Sequence, residues 1–131
     1  MIFRQFPMVP QHKHAAIAAR VAEAAGLQNK FWEMHDILYK NRESWSEAAD
    51  AFPIFEGYAE KIGLDVDKFK RDQRDAVARS RMVLDLRRAR VLGVKSTPTV
   101  YLNGAEIPYE QIKTLRGLRT VISKALKPIR S

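Results

Sequence analysis

The amino-acid sequence predicts an α/β protein, predominantly helical, in which helices cover a small sheet. Three observations lead there. Apolar residues recur at helical spacing through most of residues 12–92. The period changes after Gly93, where β-branched and aromatic residues take over. Asn103-Gly104, between the two short apolar runs that follow, is a strong two-residue hairpin turn.

Residues 2–6 alternate in the manner of a strand and are closed by Pro7 and Pro10. A helix is expected over about 12–25, where Ala15, Ala16, Ala18, Ala19, Ala22, Ala24 and Ala25 supply helix propensity and Gly26 supplies a stop. Asn29 is the expected cap of a second helix, with Phe31, Met34, His35 and Leu38 on one face. Residues 41–44 read as a loop, and Pro53 interrupts a weaker segment that opens at Ser46. Phe52, Phe55, Tyr58, Ala59 and Ile62 then recur at helical spacing as far as Gly63.

Asp65 or Asp67 is expected to cap the longest helix, about 67–92, whose stripe is Phe69, Ala76, Val77, Val83, Leu84, Leu86 and Leu92. Thr99-Val100-Tyr101-Leu102 is the first hairpin strand and 105–107 the second. A closing amphipathic helix is expected over 109–126, with Ile112, Leu115, Leu118, Val121, Ile122 and Leu126 apolar. Trp32, Tyr39, Trp45, Phe52, Phe55 and Tyr58 are assigned to the core of the helical block. No repeat or linker divides the chain, so one domain is expected over 1–131. A hairpin alone is marginal. Residues 2–6 must therefore pair with it, or a further strand must come from another chain.

Composition narrows the chemistry. The 131 residues include no cysteine, which excludes a disulfide, a Cys-ligated zinc and a thiol nucleophile within this chain. Lys and Arg number 23 against 15 Asp and Glu, for a net charge of +8. That surplus favours acidic partners without specifying a fold. No run approaches the roughly 18 apolar residues of a membrane span, and residues 1–7 are too short and interrupted for a signal-peptide core. Neither a membrane partner nor an export signal is expected from the sequence.

Glu33, His35 and Asp36 invite a metal or acid–base reading. On a helix, however, His35 points about 100° away from Asp36, and no second cluster completes a site. They read as a helix surface, as do His12 and His14. Ser96 and Thr97 have no sequence-evident base, so no catalytic residue is assigned. Residues 68–90 hold nine basic side chains (Lys68, Lys70, Arg71, Arg74, Arg79, Arg81, Arg87, Arg88, Arg90) against Asp72, Asp75 and Asp85. Without interleaved aromatic residues they read as a solvated face with pairs such as Lys68–Asp72 and Arg71–Asp75. No nucleic-acid partner, cofactor or metal is expected.

The most specific local signal is Val94-Lys95-Ser96-Thr97-Pro98-Thr99-Val100-Tyr101-Leu102-Asn103-Gly104. Proline is confined to the first position or the edge of a strand. A proline directly before a strand is also a plausible cis site beside which backbone groups stay free to receive an extended peptide. Gly-Val-x-x-Thr-Pro-Thr before such a strand resembles the cis-proline loop of the DsbA-like thiol-disulfide oxidoreductases. Phe3-Arg4-Gln5-Phe6-Pro7-Met8 resembles the strand and turn before that family's inserted helical domain. Residues 22–36, with Lys30-Phe31-Trp32-Glu33-Met34-His35-Asp36, resemble its alanine-rich helix and the signature that follows.

The resemblance implies a thioredoxin-like, DsbA-type sheet with a helical insertion at about 11–92. It implies a protein or peptide substrate bound at Thr97 and Pro98, and a compartment that is usually periplasmic or exported. The family's first strand and its Cys-x-x-Cys helix have no counterpart here, so the chain is expected to be truncated and redox-inactive as given. A homodimer or strand-exchanged assembly is expected to fill the sheet. Two functions stay open: an oxidoreductase family member active only in a longer chain carrying the cysteines, and a non-catalytic binding or assembly module using the loop or the basic helix.

Overall fold

The computed structural model describes residues 1–126. The chain divides into two compact units, one ending at Leu92 and the other starting at Gly93.

The first unit is a helical block: α1 (Ala15–Gly26), α2 (Phe31–Lys40), α3 (Arg42–Ser46), α4 (Phe52–Lys61), α5 (Val66–Arg74) and α6 (Ala76–Val91). Helix α1 is its axis. Ala19, Val21, Ala22, Ala24 and Ala25 are all buried, and their small side chains let α2, α5 and α6 pack closely against it. Phe55, Phe69, Met34 and Val21 are the largest fully buried side chains, with Leu38, Ala51, Ala59 and Leu64 completing the cluster. Pro53 lies in the first turn of α4, where a missing N–H costs nothing, so it starts that helix and does not interrupt it. Polar contacts fix the connections. Asp65 caps α5 by accepting the Lys68 N–H at 2.9 Å, and Gln28 holds Asp65 through both its backbone N–H and C=O (2.9 and 3.1 Å).

Several expectations are corrected in this unit. Residues 2–6 form no strand: the Gln5 N–H is turned to the Asp85 carboxylate at 2.9 Å instead of a ladder neighbour. Asn29 does not cap α2; it adopts a left-handed conformation (φ 60) between α1 and α2, and Lys30 takes the cap position. Residues 41–44 are not a loop, since α3 begins at Arg42.

The single long helix of 67–92 is two. Asp75 breaks it with an extended ψ of 159 and accepts the Ala76 N–H at 2.6 Å, starting α6 anew. Asp75 therefore does not pair with Arg71, whereas Lys68 and Asp72 do pair. The restart changes which side of α6 faces inward. Ala78 and Asp85 are buried, while Ala76, Val77, Leu84 and Leu92 of the expected stripe are exposed. Trp32 and Tyr39 are also exposed, and join Phe3, Phe31 and His35 in a surface aromatic cluster.

The second unit holds β1 (Val100–Leu102), β2 (Ala105–Ile107), α7 (Tyr109–Ile112) and α8 (Leu115–Leu126). The strands are antiparallel, pairing Val100 with Ile107, Tyr101 with Glu106 and Leu102 with Ala105. Asn103 and Gly104 both have positive φ (51 and 83), the backbone that a two-residue hairpin of this twist requires. Among the described residues the sheet has these two strands alone. The closing helix is broken as well: the Thr114 hydroxyl accepts the Gly117 N–H at 3.1 Å and opens α8 as a separate element.

Candidate functional site

The loop between Gly93 and β1 is built by local chemistry. Gly93, at φ +72, takes a left-handed turn immediately after α6. The Thr99 hydroxyl donates to the Ser96 carbonyl at 2.7 Å and ties the loop across Thr97 and Pro98. The Thr97–Pro98 peptide bond is cis. Lys95, Ser96, Thr97 and Pro98 are all exposed, and Thr99 and Val100 are half-buried as the strand begins.

The loop thus presents hydroxyls, carbonyls and a nearby ammonium, and it leads into a strand with one edge outside the ladder. Such a surface can receive an extended segment by backbone hydrogen bonding. It offers no thiol for exchange, because the chain has no cysteine.

The other candidates fall elsewhere. His35 and Asp36 do meet, contrary to their spacing: His35 Nδ1 lies 2.9 Å from Asp36 Oδ1. They meet on the exposed side of α2, where the His35 ring also contacts Phe3 and Trp32 edge-on at 5.0 and 5.2 Å. Glu33 instead faces Lys30 at 3.8 Å. His14 Nε2 sits 2.7 Å from the Ala48 carbonyl oxygen, a bracket between α1 and the segment before α4. Among the described residues, no group of three His, Asp or Glu side chains is placed to hold a metal.

One constellation was missed by sequence reasoning. Asp85, buried on α6, accepts the Gln5 N–H and lies 3.3 Å from Arg4 Nη1, with Arg88 at 4.0 Å. Gln5 donates to Glu23 at 3.2 Å, and Glu23 lies 3.6 Å from Arg81. Arg4, Glu23, Arg81, Asp85 and Arg88 line a cleft of about 330 Å³ together with Phe3 and Leu84. The signal was present in the chain: Ala78, Met82, Asp85 and Ala89 recur at helical spacing, so an aspartate occupies an inward position among small and apolar residues. The cleft's two carboxylates are each paired with arginine, which leaves one positive charge in excess, and these contacts fasten residues 4–5 to α1 and α6.

The family model described as Thioredoxin matches residues 1–124. Similar proteins include the Na(+)/H(+) antiporter NhaA 1 of Salinispora arenicola, 38% identical over 103 residues. That alignment covers 79% of this chain and 15% of that protein. The Na(+)/H(+) antiporter NhaA 1 of Mycolicibacterium vanbaalenii is 32% identical over 123 residues, covering 89% of this chain and 19% of that protein. The Na(+)/H(+) antiporter NhaA of Herminiimonas arsenicoxydans is 32% identical over 99 residues. The chain therefore spans less than a fifth of the length of these relatives. No solved structure matches it significantly.

Proposed function

Because this chain belongs to the thioredoxin family, we propose that it is a DsbA-like member, redox-silent in its own sequence, that binds a protein or peptide through the loop at Thr97 and Pro98. One observation carries the reading: a thioredoxin match over residues 1–124 in a chain with no cysteine. Thiol–disulfide exchange starts with a thiolate attacking a disulfide sulfur, and none of the 131 residues supplies one. What the fold retains is the capacity to hold an extended segment. Pro98 has no N–H to compete for partners, and the outer edge of β1 offers backbone donors and acceptors to an added strand.

Two assays test this. With dithiothreitol, insulin reduction by this chain proceeds at the protein-free rate; turnover above that rate would refute the redox-silent reading. Capture of a reduced, alkylated unfolded protein is lost in Pro98→Ala and survives high salt. Loss of capture in salt alone would move the site to the arginines of α6. Where a longer natural chain supplies a Cys-x-x-Cys segment, the same loop serves catalysis, and an in-frame motif in the DNA upstream of the Met1 codon would show it.

We further propose that a second copy completes the sheet, by exchange of the N-terminal segment or by docking at the free edge of β1. A second functional reading is favoured by the relatives' shared name: that this module serves a Na(+)/H(+) antiporter as an accessory domain. It predicts that the chain co-purifies with an antiporter of its own cell after cross-linking in intact membranes. Recovery of the chain without any antiporter would count against it.

A further inference from the structure

We propose that α8 is a surface-docking helix for anionic phospholipid, a role separate from peptide capture at the loop. Leu115, Leu118, Ile122 and Leu126 recur along one side of its 12 residues, yet none is buried: Leu115 is 64% exposed, Ile122 39% and Leu126 76%. Beside that row runs an open groove of about 600 Å³ lined by Leu115, Arg116, Arg119, Thr120, Ser123 and Lys124. It contains three cations, two hydroxyls and no carboxylate. Residues 111–126 include neither Asp nor Glu.

A helix with an apolar row beside a basic face, and little net hydrophobicity, lies in the plane of a membrane interface. At 1.5 Å per residue, α8 is about 18 Å long, too short to cross a bilayer but ample to lie along one. Its Leu and Ile side chains enter the acyl boundary. The arginine stems follow them while the guanidinium groups stay with the headgroup phosphates.

Other occupants fit less of this. A nucleic acid would use the basic groove, but it leaves the Leu–Ile row in water and finds no aromatic residue on α8 for stacking. A second copy would cover the apolar row, but it brings two sets of Arg116, Arg119 and Lys124 together with no carboxylate on α8 between them.

The test is co-sedimentation of the full chain with phosphatidylcholine vesicles, with and without phosphatidylglycerol. The chain is expected on the phosphatidylglycerol vesicles alone, and to be released as salt rises. Arg116→Glu with Arg119→Glu lowers the partition coefficient by about 25-fold or more, at about fivefold per basic residue. Ile122→Ser lowers it several-fold. Should the double variant lose its far-UV helical spectrum, Lys124→Gln takes its place, with about a fivefold loss expected.

Equal retention on neutral vesicles, or none on either, overturns the proposal. So does binding of a DNA oligonucleotide at least as tight as vesicle binding and indifferent to Ile122→Ser. A dimer that Ile122→Ser dissociates, without vesicle binding, overturns it in favour of self-association.

Discussion

Asp85 concentrates several interactions on one buried carboxylate: the Gln5 N–H, the Arg4 guanidinium and, further off, Arg88. Its partners differ in weight. Arg4 and Arg88 are about half exposed, so water replaces much of what they contribute. The Gln5 N–H is buried and has no such substitute. Asp85→Ala therefore leaves a buried donor unpaired and should lower unfolding free energy by about 1–3 kcal/mol, measured as a reduced urea midpoint. Asp85→Asn keeps an acceptor and should lose less; equal losses would mean that charge, not the backbone bond, matters. Tyr58 gives a pH prediction of definite sign. Burial raises its phenol above the ordinary 10.0, with a Ser44 hydrogen bond opposing. The folded chain thus holds that proton to higher pH than the unfolded chain. The associated stability is complete below the ordinary tyrosine value and is lost as pH rises through the raised one. Chemical denaturation of Tyr58→Phe across that range should show a shallower decline than the parent chain.

At the scale of elements, what was legible depended on whether a signal was local. The alanines of α1, the Phe52–Phe55–Ala59–Ile62 period of α4 and the Asn103-Gly104 turn each act through immediate neighbours, and each element forms where its residues said. Thr97 and Pro98 stand in an exposed loop before a strand for the same reason. Two helices were misread because a short polar side chain sits inside an unbroken helical period. Asp75 and Thr114 each take a backbone N–H and restart the helix, and the period alone does not reveal that choice. The inward position of Asp85 is written in the spacing of Ala78, Met82, Asp85 and Ala89, but its partner Gln5, 80 positions away, is not, because no local pattern reports so distant a contact. The α7–α8 junction makes the point testable. A Cβ added at Gly117 would lie 2.3 Å from the Gln111 carbonyl oxygen, a backbone atom. Gly117→Ala, normally favourable in a helix, should here destabilise the junction by about 1–3 kcal/mol, seen as faster amide exchange across α8. Unchanged exchange would mean the two helices separate freely. In the helical block, Phe55→Ala empties a fully buried site and should cost about 3–5 kcal/mol in urea denaturation.

At the scale of the whole molecule, the two units differ in what holds them. The first has a continuous apolar cluster from Val21 to Phe69. In the second, among the described residues 93–126, no side chain is buried, and two three-residue strands are too few for a stable sheet on their own. The proposed second copy would answer that deficit, and the hairpin register gives the proposal an edge at which to test it. In a two-residue hairpin the residues flanking the turn, Leu102 and Ala105, exchange the ladder hydrogen bonds. The next pair, Tyr101 and Glu106, does not, so the Tyr101 N–H and C=O point to the outer edge of β1. A partner strand must use them. Proline is tolerated where a strand's N–H faces outward, but it removes the donor. Tyr101→Pro should therefore leave the hairpin paired while raising the dimer dissociation constant by about tenfold, the equivalent of about 1.4 kcal/mol for a lost edge bond. Sedimentation velocity over a concentration series reads both: a dimer for the parent chain, and a shift towards monomer for the variant. A parent chain that stays monomeric throughout refutes the assembly, and a Tyr101→Pro dimer as tight as the parent's moves the contact away from β1.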